Sequence, residues 1–142
     1  MPEKASVTRR PRQAYNRDNA FFAEGLRAGV VLIQRCAGCG LLRNPPRPMC
    51  PACGSFEWDT VKASGRGQIY SYAVHWYPPL PGIATPSRIV LVALEEGVRM
   101  VGNLIDADED DLKIGAKLQA AIVADPEDDM LLLQWRPAAA GP

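Results

Sequence analysis

The sequence predicts a mainly β protein that has a short N-terminal helix, a cysteine-rich metal ribbon and a five-stranded barrel of the OB-fold type. Three observations support this fold class. Two C-x-x-C pairs lie close together in the first half of the 142-residue chain. After residue 65, five strand-like runs are separated by turn residues. The third and fourth runs are joined by a short acidic connection, a pattern that suits a small closed barrel.

The chain divides into four predicted parts. Residues 1–29 are predicted to form a tail and a short helix, residues 30–62 the ribbon, residues 65–136 the barrel, and residues 137–142 a second tail. A chain of this length supports one modest core, which the two modules would share.

The N-terminal part is predicted to contain one helix. Residues 1–17 are polar and basic, and we expect a mobile tail or an arm that orders on a partner. Asp18 or Asn19 can cap a helix that ends near Gly29. The apolar residues of this helix predict either packing on the chain's own core or docking on another subunit; they are Phe21, Phe22 and Leu26.

The ribbon begins with the apolar, β-branched run 30–35, which we expect to be a strand. The expected barrel strands are 68–76, 88–95, 98–105, 117–124 and 130–136. The strand 88–95 is apolar on both faces, as a central strand would be. Alternation in the first barrel strand predicts that one face carries Tyr70, Tyr72, Val74 and Trp76, and that the other carries Ile69, Ser71, Ala73 and His75.

The loop 78–87 is rich in proline, which restricts the unfolded chain and lowers the entropy lost when the loop becomes ordered. Two interpretations stay open. The loop presents Leu80 or Ile83 to a partner, or it is a stiff connection between the first two barrel strands.

Composition and charge exclude several classes of function. The 16 basic and 16 acidic side chains balance, which argues against tight nucleic-acid binding. Residues 1–58 hold nine basic and four acidic side chains, so a basic front half could meet an anionic ligand. No apolar run approaches the length of a membrane helix, and the N-terminus lacks the apolar region of a secretory signal. We therefore expect a cytoplasmic protein without a membrane partner.

The paired cysteines carry the most specific signal. In each pair the first cysteine starts a tight turn, and Gly40 or Gly54 follows the second, where positive φ costs little. This pattern predicts a tetrahedral zinc site whose four ligands are Cys36, Cys39, Cys50 and Cys53. Iron is the competing metal, whereas a disulfide framework and a redox dithiol fit the pattern poorly.

Four thiolate ligands leave no open metal position, so the site is expected to be structural rather than catalytic. They also leave no free thiol as a nucleophile. His75 is the one histidine in the sequence, and we expect it to serve in packing or hydrogen bonding. The acidic runs 106–111 and 125–129 lack the ligand spacing of a calcium loop. No catalytic residue is therefore predicted.

Three segments together resemble one family. They are CAGCGLLRNPPRPMCPACGS, ASGRGQIYSYAVHWYPPLPG and VALEEGVRMVGNL. The chain is similar over residues 20–136 to the OB-fold proteins with a rubredoxin-like zinc ribbon, long labelled a domain of unknown function. The sequence around PPRPMCP and VHWYPPLPG is most similar to the companion subunits of steroid side-chain aldolases.

The resemblance implies a non-catalytic accessory subunit that binds a thiolase-fold aldolase or thiolase, in a heterotetramer with acyl-CoA at the shared site. Retro-aldol cleavage of a steroid-type β-hydroxyacyl-CoA is favoured, and thiolase chemistry comes next. Related proteins are sometimes fused to hydratase-like domains; this chain is too short for that, so a hydratase would be a separate protein. CoA phosphates would favour arginine contacts, and Arg47, Arg66 and Arg88 are candidates, although each could be a solvated charge.

Two alternatives come from other classes of function. An OB/zinc-ribbon module that binds single-stranded nucleic acid would stack bases on Tyr70, Tyr72 and Trp76. The acidic barrel half and its loops would repel phosphate, which makes nucleic acid an unlikely partner. A stand-alone enzyme would have to act without a recognisable catalytic set.

Overall fold

A computed structural model describes residues 10–125 and 129–139. It contains one α-helix, α1 (Ala20–Arg27), and two antiparallel sheets. The ribbon sheet consists of β1 (Leu32–Cys36), β2 (Leu42–Arg43) and β3 (Trp58–Lys62). The barrel sheet consists of β4 (Arg66–His75), β5 (Ser87–Leu94), β6 (Arg99–Asn103), β7 (Lys117–Ala124) and β8 (Leu131–Pro137). The predicted mainly β fold class is confirmed. A membrane-spanning helix is absent from the described part of the chain.

The ribbon sheet has the order β2-β1-β3. All five residues of β1 pair with β3, from Leu32 opposite Lys62 to Cys36 opposite Trp58. The predicted strand 30–35 therefore starts two residues later than expected and ends at the first cysteine. The two-residue strand β2 was not predicted, because so short a segment has no detectable alternation.

The barrel sheet has the order β6-β5-β4-β7-β8. Leu104, directly after β6, forms a parallel bridge with Trp135 of β8, and the Ile105 N–H donates to the Trp135 carbonyl at 2.8 Å. This bridge joins the two outer strands and closes the five-stranded barrel. The connection between β6 and β7 contains a 3₁₀ turn, Glu109–Asp111, capped by the Asp108 carboxylate. Acidic residues of the run 106–111 thus cap a turn.

A β-bulge in β4 corrects the predicted alternation. Ile69 pairs with Val92 and Ser71 pairs with Leu91, so Tyr70 is the extra residue. Beyond the bulge the two faces are exchanged, and Tyr72 pairs with buried Val90. Tyr70 and Tyr72 therefore lie on opposite faces, whereas simple alternation places them together. Sequence periodicity carries no signal for one inserted residue.

One hydrophobic core runs through helix, ribbon and barrel. It contains Leu26 of α1, Ile33 of β1 and the fully buried Trp135 of β8, together with the inner side chains of β5. The Phe21 ring lies 5.2 Å from the Trp58 ring. Phe21 and Leu26 are buried and Phe22 is half-buried, so the apolar stripe of the helix packs on the chain's own core. Asn19 precedes the helix but makes no side-chain cap bond.

The described ends of the chain also differ in part from the two predicted tails. Arg10 lies 3.4 Å from the buried carboxylate of Asp125, so the described end of the predicted 1–17 tail contacts the barrel. At the other end β8 reaches Pro137, and the Ala138 N–H donates to the Lys117 carbonyl. Residues 1–9, 126–128 and 140–142 lie outside the described residues.

Candidate metal centre

Two turns of the same form hold the four cysteines. In the first, the Gly40 N–H donates to the Cys36 carbonyl at 2.9 Å. In the second, the Gly54 N–H donates to the Cys50 carbonyl, also at 2.9 Å. Both glycines have positive φ, 80° and 77°, so a side chain at either position would be strained. The sequence prediction of two matched turns is confirmed in this backbone geometry.

The four sulfur atoms converge. All of them lie within 4.8 Å of one another, with the Cys36 and Cys53 sulfurs 3.5 Å apart and the Cys39 and Cys50 sulfurs 3.6 Å apart. A tetrahedral ion with zinc–sulfur bonds of about 2.3 Å separates its sulfurs by about 3.8 Å. The Cys36–Cys53 and Cys39–Cys50 spacings are close to that value, so the four sulfurs are placed to surround such an ion. Cys36 and Cys50 are buried, whereas Cys39 and Cys53 are exposed.

Backbone N–H groups stabilise the thiolate form of two of the cysteines, Cys36 and Cys50. The Cys39 and Gly38 N–H groups point at the Cys36 sulfur from 3.4 and 3.3 Å. The Cys39 N–H makes the largest contribution, and the pKa of Cys36 is lowered to about 6. The Cys53 N–H likewise lowers the pKa of Cys50. Such donors also offset part of the negative charge of a four-thiolate centre.

The pKa of the Cys39 thiol is raised instead of lowered. The Leu41 N–H lowers its pKa, but the neighbouring Cys50 thiol, partial desolvation of the thiolate and the other two sulfurs outweigh that donor and raise the pKa to about 11. Four thiolates this close repel one another, so the deprotonated set needs a cation among them. A bound divalent ion meets that need, and four sulfur ligands leave it no open position for water or substrate.

A buried polar cluster lies beside the centre, and no local sequence pattern predicts it. Gln34 is 0% exposed, and its Oε1 accepts from Arg43 Nε and from the Arg47 N–H, each at 2.9 Å. Gln34 Nε2 and Arg43 Nη2 both donate to the Arg47 carbonyl at 3.0 Å. These bonds fix the proline-rich segment that joins the two cysteine turns. A glutamine in a strand is ordinarily expected to face solvent.

The three arginine candidates for anion contacts have different surroundings. Arg66 is bound by both carboxylate oxygens of Glu95 at 3.0 Å, which satisfies its charge. Arg88 is half-buried at the start of β5, and its Nε has no hydrogen-bond acceptor among the described residues. Arg47 is exposed and lines a groove between the ribbon and the barrel. The structure therefore does not bring these three arginines together.

His75 makes a hydrogen-bond contact, one of the two roles expected for it from the sequence. Its Nε2 lies 2.6 Å from the Pro78 carbonyl oxygen, at the start of the proline-rich loop. The contact joins the end of β4 to that loop. The described residues contain no acid or hydroxyl bonded to this imidazole, so the arrangement of a catalytic triad is missing from them.

An apolar surface remains open on the barrel. The outward side chains of β5 are Ile89, Leu91 and Ala93, which are only half-buried. Leu91 pairs with Val101 of β6, which is 63% exposed. Further along, the end of β4 and its loop expose large apolar side chains: Trp76, Tyr77 and Leu80. An apolar face of this kind is typical of a protein–protein contact.

Comparisons with known proteins agree with both modules. The family model for the rubredoxin-like zinc ribbon domain of ChsH2 matches residues 23–59. The model for the C-terminal OB-fold domain of ChsH2 matches residues 60–123. The two matches are adjacent and together include the cysteine turns and most of the barrel.

Two curated relatives are alpha subunits. The chain is 49% identical over 130 residues to a protein of Thermomonospora curvata named "Probable enoyl-CoA hydratase alpha subunit", a match that covers 91% of this chain and 40% of that protein. It is 39% identical over 137 residues to the 3-oxo-4,17-pregnadiene-20-carboxyl-CoA hydratase alpha subunit of Mycobacterium tuberculosis, covering 96% of this chain and 43% of that protein. The chain thus spans about two fifths of the length of each relative.

A solved structure matches the chain in three dimensions. The chain resembles a chain of the Ltp2-ChsH2(DUF35) aldolase with a TM-score of 0.84 and 45% sequence identity. The match covers 90% of this chain and 100% of that one. On these grounds the chain belongs to the DUF35 family, as a protein with the rubredoxin-like zinc ribbon and OB-fold domain of ChsH2.

Proposed function

We propose that this chain is a non-catalytic accessory subunit that binds a thiolase-fold partner and helps to form an acyl-CoA channel for carbon–carbon bond cleavage. One observation carries the proposal: a chain of the Ltp2-ChsH2(DUF35) aldolase matches 90% of this chain at 45% identity. The family resemblance implies the thiolase-fold partner and a heterotetramer of two copies of each subunit.

The described residues support an accessory role, in which the catalytic groups for carbon–carbon bond cleavage come from the partner. The four cysteines converge on one metal position, so their thiolates serve as ligands rather than nucleophiles. His75 bonds to a backbone carbonyl. The partner would then supply the base that abstracts a proton and the groups that stabilise the developing charge.

The metal of the proposed subunit is zinc, held by Cys36, Cys39, Cys50 and Cys53. The fit rests on the sulfur spacing and on the N–H groups that face the thiolates. Zinc bound this way supplies folding free energy to a three-stranded sheet that has little core of its own. The cysteine residues themselves hold the two turns together and carry no proton to a substrate.

The partner surface of the proposed subunit is the apolar outer face of the barrel. Val101 and the half-buried outer residues of β5 form its centre, and Trp76 and Tyr77 lie at the end of β4. Trp76 is 61% and Tyr77 is 84% exposed, which is unusual for large aromatic side chains without a partner. Aromatic anchors of this kind often dominate the free energy of binding.

The favoured substrate is a steroid-type side-chain β-hydroxyacyl-CoA, cleaved by a retro-aldol reaction. Two comparisons support this choice: the matching solved chain is part of an aldolase, and the relative of Mycobacterium tuberculosis is named for a steroid-like acyl-CoA. Thiolase chemistry is the next candidate by the family resemblance. The substrate's acyl group would lie between the two subunits.

Co-expression with a candidate thiolase-fold protein tests the interface. We expect the two proteins to co-purify, and we expect the double variant Trp76→Ala, Tyr77→Ala to reduce the yield of complex. Phe56→Ala is the matched control, since Phe56 is a 66% exposed aromatic on the ribbon and lies outside the proposed surface. Equal loss of complex in the control would contradict this choice of surface.

A nucleic-acid function is less well supported by the geometry. The bulge places Tyr70 and Tyr72 on opposite faces of β4, so they cannot form one stacking row with Trp76. Micromolar binding of single-stranded oligonucleotides with a steep salt dependence would favour that alternative over the proposed one.

A further inference from the structure

The end of β4 and the loop after it extend beyond the strand pairing of the barrel. β7 pairs with β4 over Arg66–Gln68, so from Tyr70 onward β5 is the one described strand that pairs with β4. On the other side of β5, pairing with β6 begins at Ile89, two residues after β5 starts. We call residues 76–86, which join the two strand ends, the arm. Neighbouring strands do not fix the position of the arm, so other contacts must.

The arm presents an apolar and uncharged surface. Residues 67–87 contain no Asp, Glu, Lys or Arg. Three large side chains of the arm are exposed, Trp76 at 61%, Tyr77 at 84% and Leu80 at 43%. A charged surface that covered this arm would lose hydration without gaining an ionic partner. The partner that fits is therefore an uncharged, apolar protein surface.

Contacts within the arm hold part of its shape. At the β4 end, His75 Nε2 lies 2.6 Å from the Pro78 carbonyl oxygen. At the tip, the Ile83 N–H donates to the Leu80 carbonyl at 3.1 Å, and the two residues form an antiparallel bridge. Four prolines between residues 78 and 86 restrict the backbone further. These features order the β4 end and the tip, so the β5 end needs a support of its own.

A buried polar cluster supplies that support where the arm enters β5. Ser87 is 7% exposed, and its Oγ accepts from Asn103 Nδ2 at 2.7 Å. Asn103 Nδ2 also donates to the Arg88 carbonyl at 3.0 Å. The Asn103 N–H in turn donates to Oε1 of the buried Gln134 at 2.7 Å. One asparagine of β6 thus ties the first residues of β5 to β8, at the base of the arm.

We infer that the arm docks on an apolar, uncharged surface of the thiolase-fold partner, and that Ser87 and Asn103 are positioning residues that hold it in the binding conformation. The inference rests on the proposed function. A loop that is already ordered in the free chain avoids the free energy of ordering when it binds. Since Ser87 is buried, its side chain can influence binding only through the position of the arm.

Nitrogen-15 NMR relaxation of the full zinc-loaded chain tests the ordering. We expect backbone order parameters near those of the strands, about 0.85, for residues 80–85. Ser87→Ala removes an acceptor of Asn103 and should lower them towards about 0.6. Ser87→Thr keeps the hydroxyl and should restore the order. Ser55→Ala is the matched control, because it removes the acceptor of the Glu57 N–H in the ribbon, away from the arm.

Titration of the same chains with a thiolase-fold protein that co-purifies with the unaltered chain tests the binding. We expect Ser87→Ala to weaken the affinity by about three- to tenfold, as loss of one hydrogen bond predicts. Ser87→Thr and Ser55→Ala should bind within about twofold of the unaltered chain. Leu80→Ala should weaken binding but leave the order parameters unchanged, which separates contact from positioning. Zinc content and circular dichroism confirm that each variant is folded.

Several outcomes would overturn the inference. They are unchanged arm order or unchanged affinity in Ser87→Ala, an equal loss in Ser55→Ala, and a Ser87→Thr chain as weak as Ser87→Ala. If the unaltered chain binds its partner and Ser87→Ala binds equally well, the proposed function stands and only the role of the arm is lost. If the unaltered chain binds no thiolase-fold protein, the proposed function fails and this inference fails with it.

Discussion

Gln34 and Arg43 lie opposite each other on neighbouring ribbon strands, and the buried Gln34 Oε1 accepts from Arg43 Nε at 2.9 Å. The same oxygen accepts from the Arg47 N–H, so one amide joins a strand pair to the segment between the cysteine turns. The metal centre depends on that segment, because it leads into Cys50. A single buried side chain thus positions the link between the two cysteine turns.

Replacement of this glutamine should destabilise the fold. In Gln34→Ala, Arg43 Nε and the Arg47 N–H lose their acceptor in a buried environment, and a cavity remains. We expect the free energy of unfolding to fall by about 2–4 kcal/mol in urea denaturation of the zinc-loaded chain. Gln119→Ala, at an exposed glutamine, should change it by less than about 0.5 kcal/mol. Equal effects of the two substitutions would show that the cluster contributes no special stability.

Loss of one sulfur ligand should remove the metal. Cys50→Ser is expected to abolish stoichiometric zinc and to unfold the ribbon, because Cys50 is buried and faces Cys39. Metal analysis and circular dichroism check both effects, with Met49→Leu at the exposed neighbour as the control. Zinc should also be released as pH falls, because protons compete for the thiolates. A Cys50→Ser chain that retains full zinc would contradict the ligand assignment.

Barrel closure limits the side chain at position 102. A Cβ on Gly102 would lie 2.8 Å from Trp135 Cδ1 and 2.9 Å from the Leu133 carbonyl oxygen. Gly102→Ala should therefore lower the free energy of unfolding by about 1–3 kcal/mol. In a Trp135→Phe background the same change should cost less, because the smaller ring can move away. Strictly additive costs in thermal or urea unfolding would argue against this contact.

The Arg66–Glu95 pair predicts a local dependence on pH. Hydrogen bonds from Arg66 lower the pKa of Glu95, and carbon-13 NMR titration of Arg66→Ala should show that pKa rising towards its ordinary value. Because the folded-state pKa is lowered, the pair stabilises the fold above the pKa of an ordinary glutamate. That stabilisation disappears as pH falls through the lowered value, so the variant and the original chain should converge in stability at acidic pH. An unchanged Glu95 pKa would refute the pairing.

Local patterns predict much of this molecule. The spacing and glycines of the two C-x-x-C turns predict the convergence of Cys36, Cys39, Cys50 and Cys53, because each turn is set by its own few residues. The apolar run 88–95 likewise predicts a central strand, and β5 lies between β4 and β6. These features need no knowledge of distant parts of the chain.

Other features depend on packing between distant segments and leave no local trace. The bulge at Tyr70 arises in the pairing of β4 with β5, just beyond the residues 66–68 of β4 that also pair with β7, and alternation alone places that ring on the same face as Tyr72. Gln34 is buried because Arg43 and Arg47 surround it, not because of any pattern in β1. The contact of Arg10 with Asp125 similarly joins residues that are far apart in sequence.

Cleavage of a steroid-type β-hydroxyacyl-CoA by separately purified subunits tests the proposed accessory role most directly. The measurement follows loss of the acyl-CoA for this chain alone, for a thiolase-fold partner alone and for their mixture, with native mass spectrometry of the mixture. We predict no turnover by this chain alone, substantial turnover by the mixture, and a mass equal to two copies of each subunit. Turnover by this chain alone, or a partner that is equally active without it and forms no complex, would contradict that role.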